Sequence, residues 1–89
     1  MSGDSNVRSL EKEAFKRRLA ALASAKAISD ADFADCIYIS MTKFGLAEDT
    51  FRDAFGLTKG AVERWILLKN LPQSTVRAKI LEWMGKEMG

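Results

Sequence analysis

Residues 51–65 read FRDAFGLTKGAVERW, and this stretch decides the fold. Its apolar residues Phe51, Phe55, Leu57, Val62 and Trp65 fall into two helical periods in phase with a single glycine, Gly56. Glycine tolerates the positive φ that a tight turn between two helices demands. Apolar residues on both sides of such a turn let two helices, crossing at roughly a right angle, share a small core. Thr58 stands where an N-cap is expected, because its hydroxyl can accept from a free N–H of the first turn. The spacing predicts helices over about 47–55 and 59–68, with Lys59, Gly60, Glu63 and Arg64 facing outward.

Upstream, Ser29 with Asp32 three residues later forms a capping-box-like start, with Asp30 also near that end. Phe33, Ile37, Tyr38 and Met41 follow at helical spacing, and Gly45 is placed to stop this helix near Phe44. The run Ile37–Ile39 would also suit a strand, but its alternation is too brief to outweigh the cap and the helical period. Downstream, Pro72 is suited to a first helical turn. The last helix then continues past Trp83, with Val76, Ile80, Leu81, Trp83 and Met84 on its buried side.

At the N-terminus, Ser9 is expected to cap a helix reaching about Ala27, with Glu11 and Glu13 in its first turn. Phe15, Leu19 and Leu22 give it one bulky stripe, and Ala14, Ala21 and Ala25 form a neighbouring strip where another helix could approach. Residues 1–8, polar and containing glycine and serine, are expected to be a disordered tail. The expectation is an all-α domain of about five helices. An N-terminal helix over 9–28 precedes a helix-turn-helix domain over 29–87, all within one compact unit.

Composition narrows the chemistry. The 89 residues suffice for a single core, and no apolar run approaches the ~20 residues needed to span a bilayer. Residues Met1–Leu10 are polar and mixed in charge, unlike a secretory signal. The lone Cys36 cannot form an internal disulfide, which fits a cytoplasmic setting, and it reads as a small buried hydrophobe. With no histidine and one cysteine, the usual zinc sets and the commonest general base are missing. The glycines are too scattered for a phosphate-cradling loop. No catalytic residue, metal or cofactor is therefore expected, and binding is the default.

The net charge is only +2, yet it is laid out in blocks. Residues 8–26 carry six cations against Glu11 and Glu13, a net of +4. Residues 29–53 carry Asp30, Asp32, Asp35, Glu48, Asp49 and Asp53 against Lys43 and Arg52, a net of −4. Residues 58–83 carry five cations against Glu63 and Glu82, a net of +3. A nearly neutral total can therefore conceal a basic face of the kind a nucleic-acid reader needs. Lys16, Arg17 and Arg18 fit a solvated helix face better than a nucleic-acid arm.

In these residues the chain resembles the Cro and lambda-repressor-like helix-turn-helix family. The likeness runs from about Ser29 to Met84. It includes Gly45-Leu46-Ala47-Glu48-Asp49 as the turn into the second core helix, and Arg64-Trp65, Pro72, Ile80 and Trp83 toward the closing helix. Three positions depart from the family pattern. Arg52 stands where alanine is usual, Ala47 replaces a capping serine, and Leu68 replaces a glycine. The leucine is expected to extend the helix and expose Ile66, Leu67 and Leu68.

The resemblance implies a duplex-DNA-binding transcriptional regulator of bacterial, phage or mobile-element type, working as a homodimer. The helix at about 59–68 would cross the major groove. Lys59 and Arg64 would donate to guanine or phosphate, and Glu63 would accept from cytosine. Thr58 and Gly60 would sit at the close approach, with Lys69 and Asn70 on phosphates. The alternative is a protein of the same shape that binds another protein through Ile66, Leu67 and Leu68, as an antiactivator or adaptor. Trp65 and Trp83 read as core anchors rather than stacking platforms.

Overall fold

The computed structural model describes residues 2–89, with side chains from Val7 onward, and is all-helical. Helix α1 spans Ser2–Ala23, α2 Asp30–Thr42, α3 Glu48–Phe55, α4 Ala61–Ile66 and α5 Ser74–Glu87. Phe15 and Leu19 of α1, Phe33 and Ile37 of α2, Phe51 of α3, Val62 and Trp65 of α4, and Ile80, Leu81 and Met84 of α5 meet in one core. Edge-to-face aromatic pairs knit it: Phe33 with Trp65 at 5.5 Å, and Trp83 with both Phe51 at 5.0 Å and Phe55 at 5.2 Å.

The start of α2 forms as its sequence dictates, with the Ser29 hydroxyl accepting from the Asp32 N–H at 3.0 Å. Helix α3 begins after Ala47, which offers no side-chain cap, and ends where Gly56 turns left-handed at φ 63°. Buried Ser40 is satisfied locally, its hydroxyl donating to the Ile37 carbonyl at 2.8 Å.

Several boundaries differ from expectation. Helix α1 starts at Ser2, so Ser9 lies inside it rather than capping it, and residues 2–8 are helical; Met1 lies outside the described residues. The same helix stops at Ala23 although alanines continue to Ala27. The cause is tertiary: Ile28 is buried, so the chain must leave the helix early enough to bring it into the core. The alanine strip Ala14, Ala21 and Ala25 is exposed. Helix α5 opens at Ser74 instead of Pro72, with Gln73 as its extended N-cap. Val76 and Tyr38 are solvent-facing rather than buried.

The segment around Arg77 explains that later start. Its Nε donates to the Pro72 carbonyl and its Nη1 to the Ile28 carbonyl, both at 2.7 Å, and Nη1 lies 2.8 Å from Asp30. One guanidinium thus ties the approach to α5 to the approach to α2, and it sits 5.9 Å above the Phe33 ring. The planar fork of arginine suits two such carbonyls at once.

Helix α1 packs mainly on α5 and reaches α2 through side chains at two levels. Near the start of α2, Arg18 pairs with Asp35 at 3.0 Å and Asp32 at 3.6 Å. Near its end, Glu11 pairs with Lys43 at 3.3 Å, and Phe15 stacks on Phe44 with centroids 5.2 Å apart.

Candidate nucleic-acid interface

Helix α4 is the shortest element, and both of its ends are set by left-handed backbone. Gly60, at φ 84°, precedes it as N-cap, so Thr58 does not cap the helix as expected. The Ala61 N–H instead bonds the Thr58 carbonyl at 3.2 Å in a turn. The Thr58 hydroxyl accepts from Arg64 Nη2 at 3.3 Å. Glycine at 60 is demanded by the backbone itself, and a Cβ there would lie 3.3 Å from Arg64 Nη1.

The Gly60 N–H is not left open for an anion. It donates to Glu48 Oε2 at 3.1 Å, so the first turn of α3 supplies the acceptor that Thr58 was expected to provide at α4. Glu48, one of the carboxylates of the acidic 29–53 block, is half-buried and engaged in this contact.

At the other end the expected extension through Leu68 does not occur. Lys69 N–H bonds the Arg64 carbonyl at 2.7 Å and Leu68 N–H bonds the Trp65 carbonyl at 2.9 Å. This paired closure is the Schellman arrangement, in which the residue past the helix takes positive φ. Leu68 does so at φ 64° and Asn70 follows at φ 49°. The leucine therefore adopts the conformation a glycine would supply, at a conformational cost of about 1–2 kcal/mol. The helix ends at Ile66, not Leu68.

Between these ends, Ala61, Val62 and Trp65 point into the core, and Lys59 and Glu63 are exposed. Arg64 is half-exposed and folds back over the start of α4 toward Thr58. Thr58, Lys59, Gly60, Glu63 and Arg64 thus share one outer surface, while Lys69 and Asn70 lie exposed past the C-terminal end of α4.

The neighbouring charges are largely accounted for. Asp32 and Asp35 are held by Arg18, and Asp30 by Arg77. Asp49 pairs with Arg52 at 3.4 Å, while Arg52 Nε is buried without a hydrogen-bond partner. The carboxylates of α2 are therefore paired within the molecule; Asp53 of α3 is exposed outside any ion pair among the described side chains, and the α4 surface carries Lys59 and Arg64 with the exposed Glu63.

Beside α4, Leu67 and Leu68 are 59% and 55% exposed, and Tyr38 is 53% exposed. Tyr38, Ile66 and Leu68 line a shallow, mainly apolar groove of about 330 Å³ together with Ala31, Ala34 and Asp35. Cys36 is fully buried, and burial pushes its thiol pKa up to about 11. Among the described residues no cluster of histidine, cysteine, aspartate and glutamate is arranged to hold a metal ion, and no helix is long and apolar enough to cross a membrane. Comparison with known proteins finds no matching family model, curated relative or solved structure.

Proposed function

We propose that this protein is a sequence-specific duplex-DNA-binding transcriptional regulator of the Cro and lambda-repressor-like kind, acting in the cytoplasm. In this reading the 59–64 surface enters the major groove. The observation that carries it is the mounting of that surface. Val62 and Trp65 anchor α4 in the core, Glu48 fixes its start, and on the opposite side Lys59 and Glu63 are exposed while Arg64 lies half-exposed over the start of the helix.

A rigid short helix with donors and one acceptor outward is what base-edge readout requires. Lys59 and Arg64 serve guanine or phosphate, Glu63 serves cytosine, and Lys69 and Asn70 serve phosphates past the helix. Two copies on a two-fold related site would supply the interface that one small domain lacks. The test is titration of a labelled duplex at several salt concentrations. Binding should weaken steeply with salt, and Arg64→Gln should weaken it further. Absence of binding, or binding indifferent to salt, refutes the reading.

A second reading is favoured by one feature, the exposed Leu67 and Leu68 beside the Tyr38 groove. Apolar side chains displayed together are a feature of protein-binding surfaces. In that case Leu67→Asp should abolish capture of a partner protein while leaving the thermal unfolding of the domain unchanged.

A further inference from the structure

The N-terminal half of α1 and the end of α2 enclose a feature that the helix-turn-helix reading does not use. An open notch of about 720 Å³ lies there, walled by Arg8, Glu11 and Lys12 on one side and by Thr42, Lys43 and Gly45 on the other. It holds three cations and one carboxylate. Glu11 is engaged by Lys43, and among the side chains described, from Val7 onward, neither Arg8 nor Lys12 meets a carboxylate in an ion pair. The acidic residues of α2 cluster toward its opposite end, where Arg18 and Arg77 hold them. The two ends of α2 therefore differ in charge, and the notch is at the positive one.

Its place in the fold gives that charge a use. Gly45 walls the notch, and only three residues further on Glu48 touches the Gly60 N–H at the start of α4. Three residues span at most about 11 Å of chain. The notch and the 58–60 turn thus converge on one end of the molecule, where α2 finishes and α3 and α4 begin. A duplex carries one phosphate per roughly 3.4 Å of axis on each strand. A duplex whose axis runs from α4 toward that end would bring several phosphates past the notch.

We propose that Arg8, Lys12 and Lys43 form a phosphate-binding notch that grips the DNA backbone beside the segment read by α4. This rests on the DNA-binding reading above and deepens it, giving α1 the role of a backbone clamp. Ammonium and guanidinium groups in a concave, positively charged notch suit a phosphate, and such contacts set position rather than sequence. Glu11 opposes the contact, and Lys43 must share its charge between Glu11 and the phosphate.

The test uses the full chain and a labelled mixed-sequence duplex of about 20 base pairs, long enough to pass both surfaces. The triple variant R8Q/K12Q/K43Q alters exposed or half-exposed side chains. It should reduce the slope of log Kd against log salt by up to about 2.7, at about 0.9 for each of three phosphates no longer neutralised. Glu11→Gln should do the reverse, tightening binding several-fold, and it stands as an independent arm if the triple variant folds poorly. Lys26→Gln, in the exposed loop after α1 and at the far end of α2, should leave the slope unchanged.

A slope unaltered in the triple variant and affinity unaltered by Glu11→Gln, with Arg64→Gln still weakening binding, overturns the notch and leaves the α4 reading intact. A slope reduced by the triple variant while Arg64→Gln has no effect supports the notch and overturns α4 as the reading surface. A wild-type chain that does not bind the duplex overturns both.

Discussion

Arg77→Met is the most informative single change for the fold. The methionine keeps most of the apolar stem but removes the fork that holds Ile28 and Pro72. Each of the two bonds is 2.7 Å long and charge-assisted, and the side chain is only 13% exposed. Hydrogen bonds to charged groups contribute about 1.5–3 kcal/mol each. Water reaching the freed carbonyls recovers part of this, so a loss of about 3 kcal/mol is expected. Loss of the Asp30 pair adds less than about 1 kcal/mol, because that carboxylate is 63% exposed.

For a domain of this size about 3 kcal/mol lowers Tm by on the order of 15 °C. Thermal unfolding followed by circular dichroism, with urea titration for the free energy, measures it. Arg77→Lys should recover less than half of the loss, since one ammonium cannot span both carbonyls in the geometry of a guanidinium. Asp30→Asn should cost little. A loss below about 1 kcal/mol for Arg77→Met, or a lysine variant equal to wild type, would refute the clamp.

Two further outcomes follow from the site and the core. Glu48→Ala should destabilise the domain by about 1–2 kcal/mol, as loss of an N-terminal cap does. It should also tighten duplex binding at low salt by removing a carboxylate beside Lys59, so chemical denaturation and DNA titration should move in opposite directions. Burial raises the pKa of Cys36 to about 11 from an ordinary thiol value of 9.0. The unfolded chain therefore releases that proton first, and stability falls as pH rises from about 9 to 11, by on the order of 3 kcal/mol. Comparison of urea midpoints across that window should show a shallower decline in Cys36→Ala than in wild type.

The parts of the fold legible in the sequence were those set by local chemistry. The cap of Ser29 on Asp32, the stop at Gly56 and the burial of Phe51, Val62 and Trp65 all follow from spacing that no distant contact alters. The ends of α1 and α4 did not follow. Ile28 must reach the core, which shortens a helix that its alanines would prolong, and the Schellman closure forces a leucine into positive φ. Electrostatics were the least legible. Arg18, Arg77 and Glu48 counted as surface charge, yet each acts on a partner at least 12 residues away: Arg18 on Asp32 and Asp35, Arg77 on Ile28 and Asp30, Glu48 on Gly60. Sign and spacing along a chain do not reveal which charges cancel across helices. Among the proposed site residues, Lys59, Glu63 and Arg64 could be placed from periodicity, whereas the roles of Thr58 and Gly60 required the left-handed start of α4.

The aromatic pairing gives the domain two separate optical reporters. Trp83 is flanked by Phe51 and Phe55, so its emission registers the seating of α3 on α5. Trp65 meets Phe33, so its emission registers the seating of α4 on α2. Single-tryptophan versions, Trp65→Phe and Trp83→Phe, would therefore time the two halves of the molecule independently. They would show whether the surface offered to a partner loosens before the scaffold beneath it or only together with it.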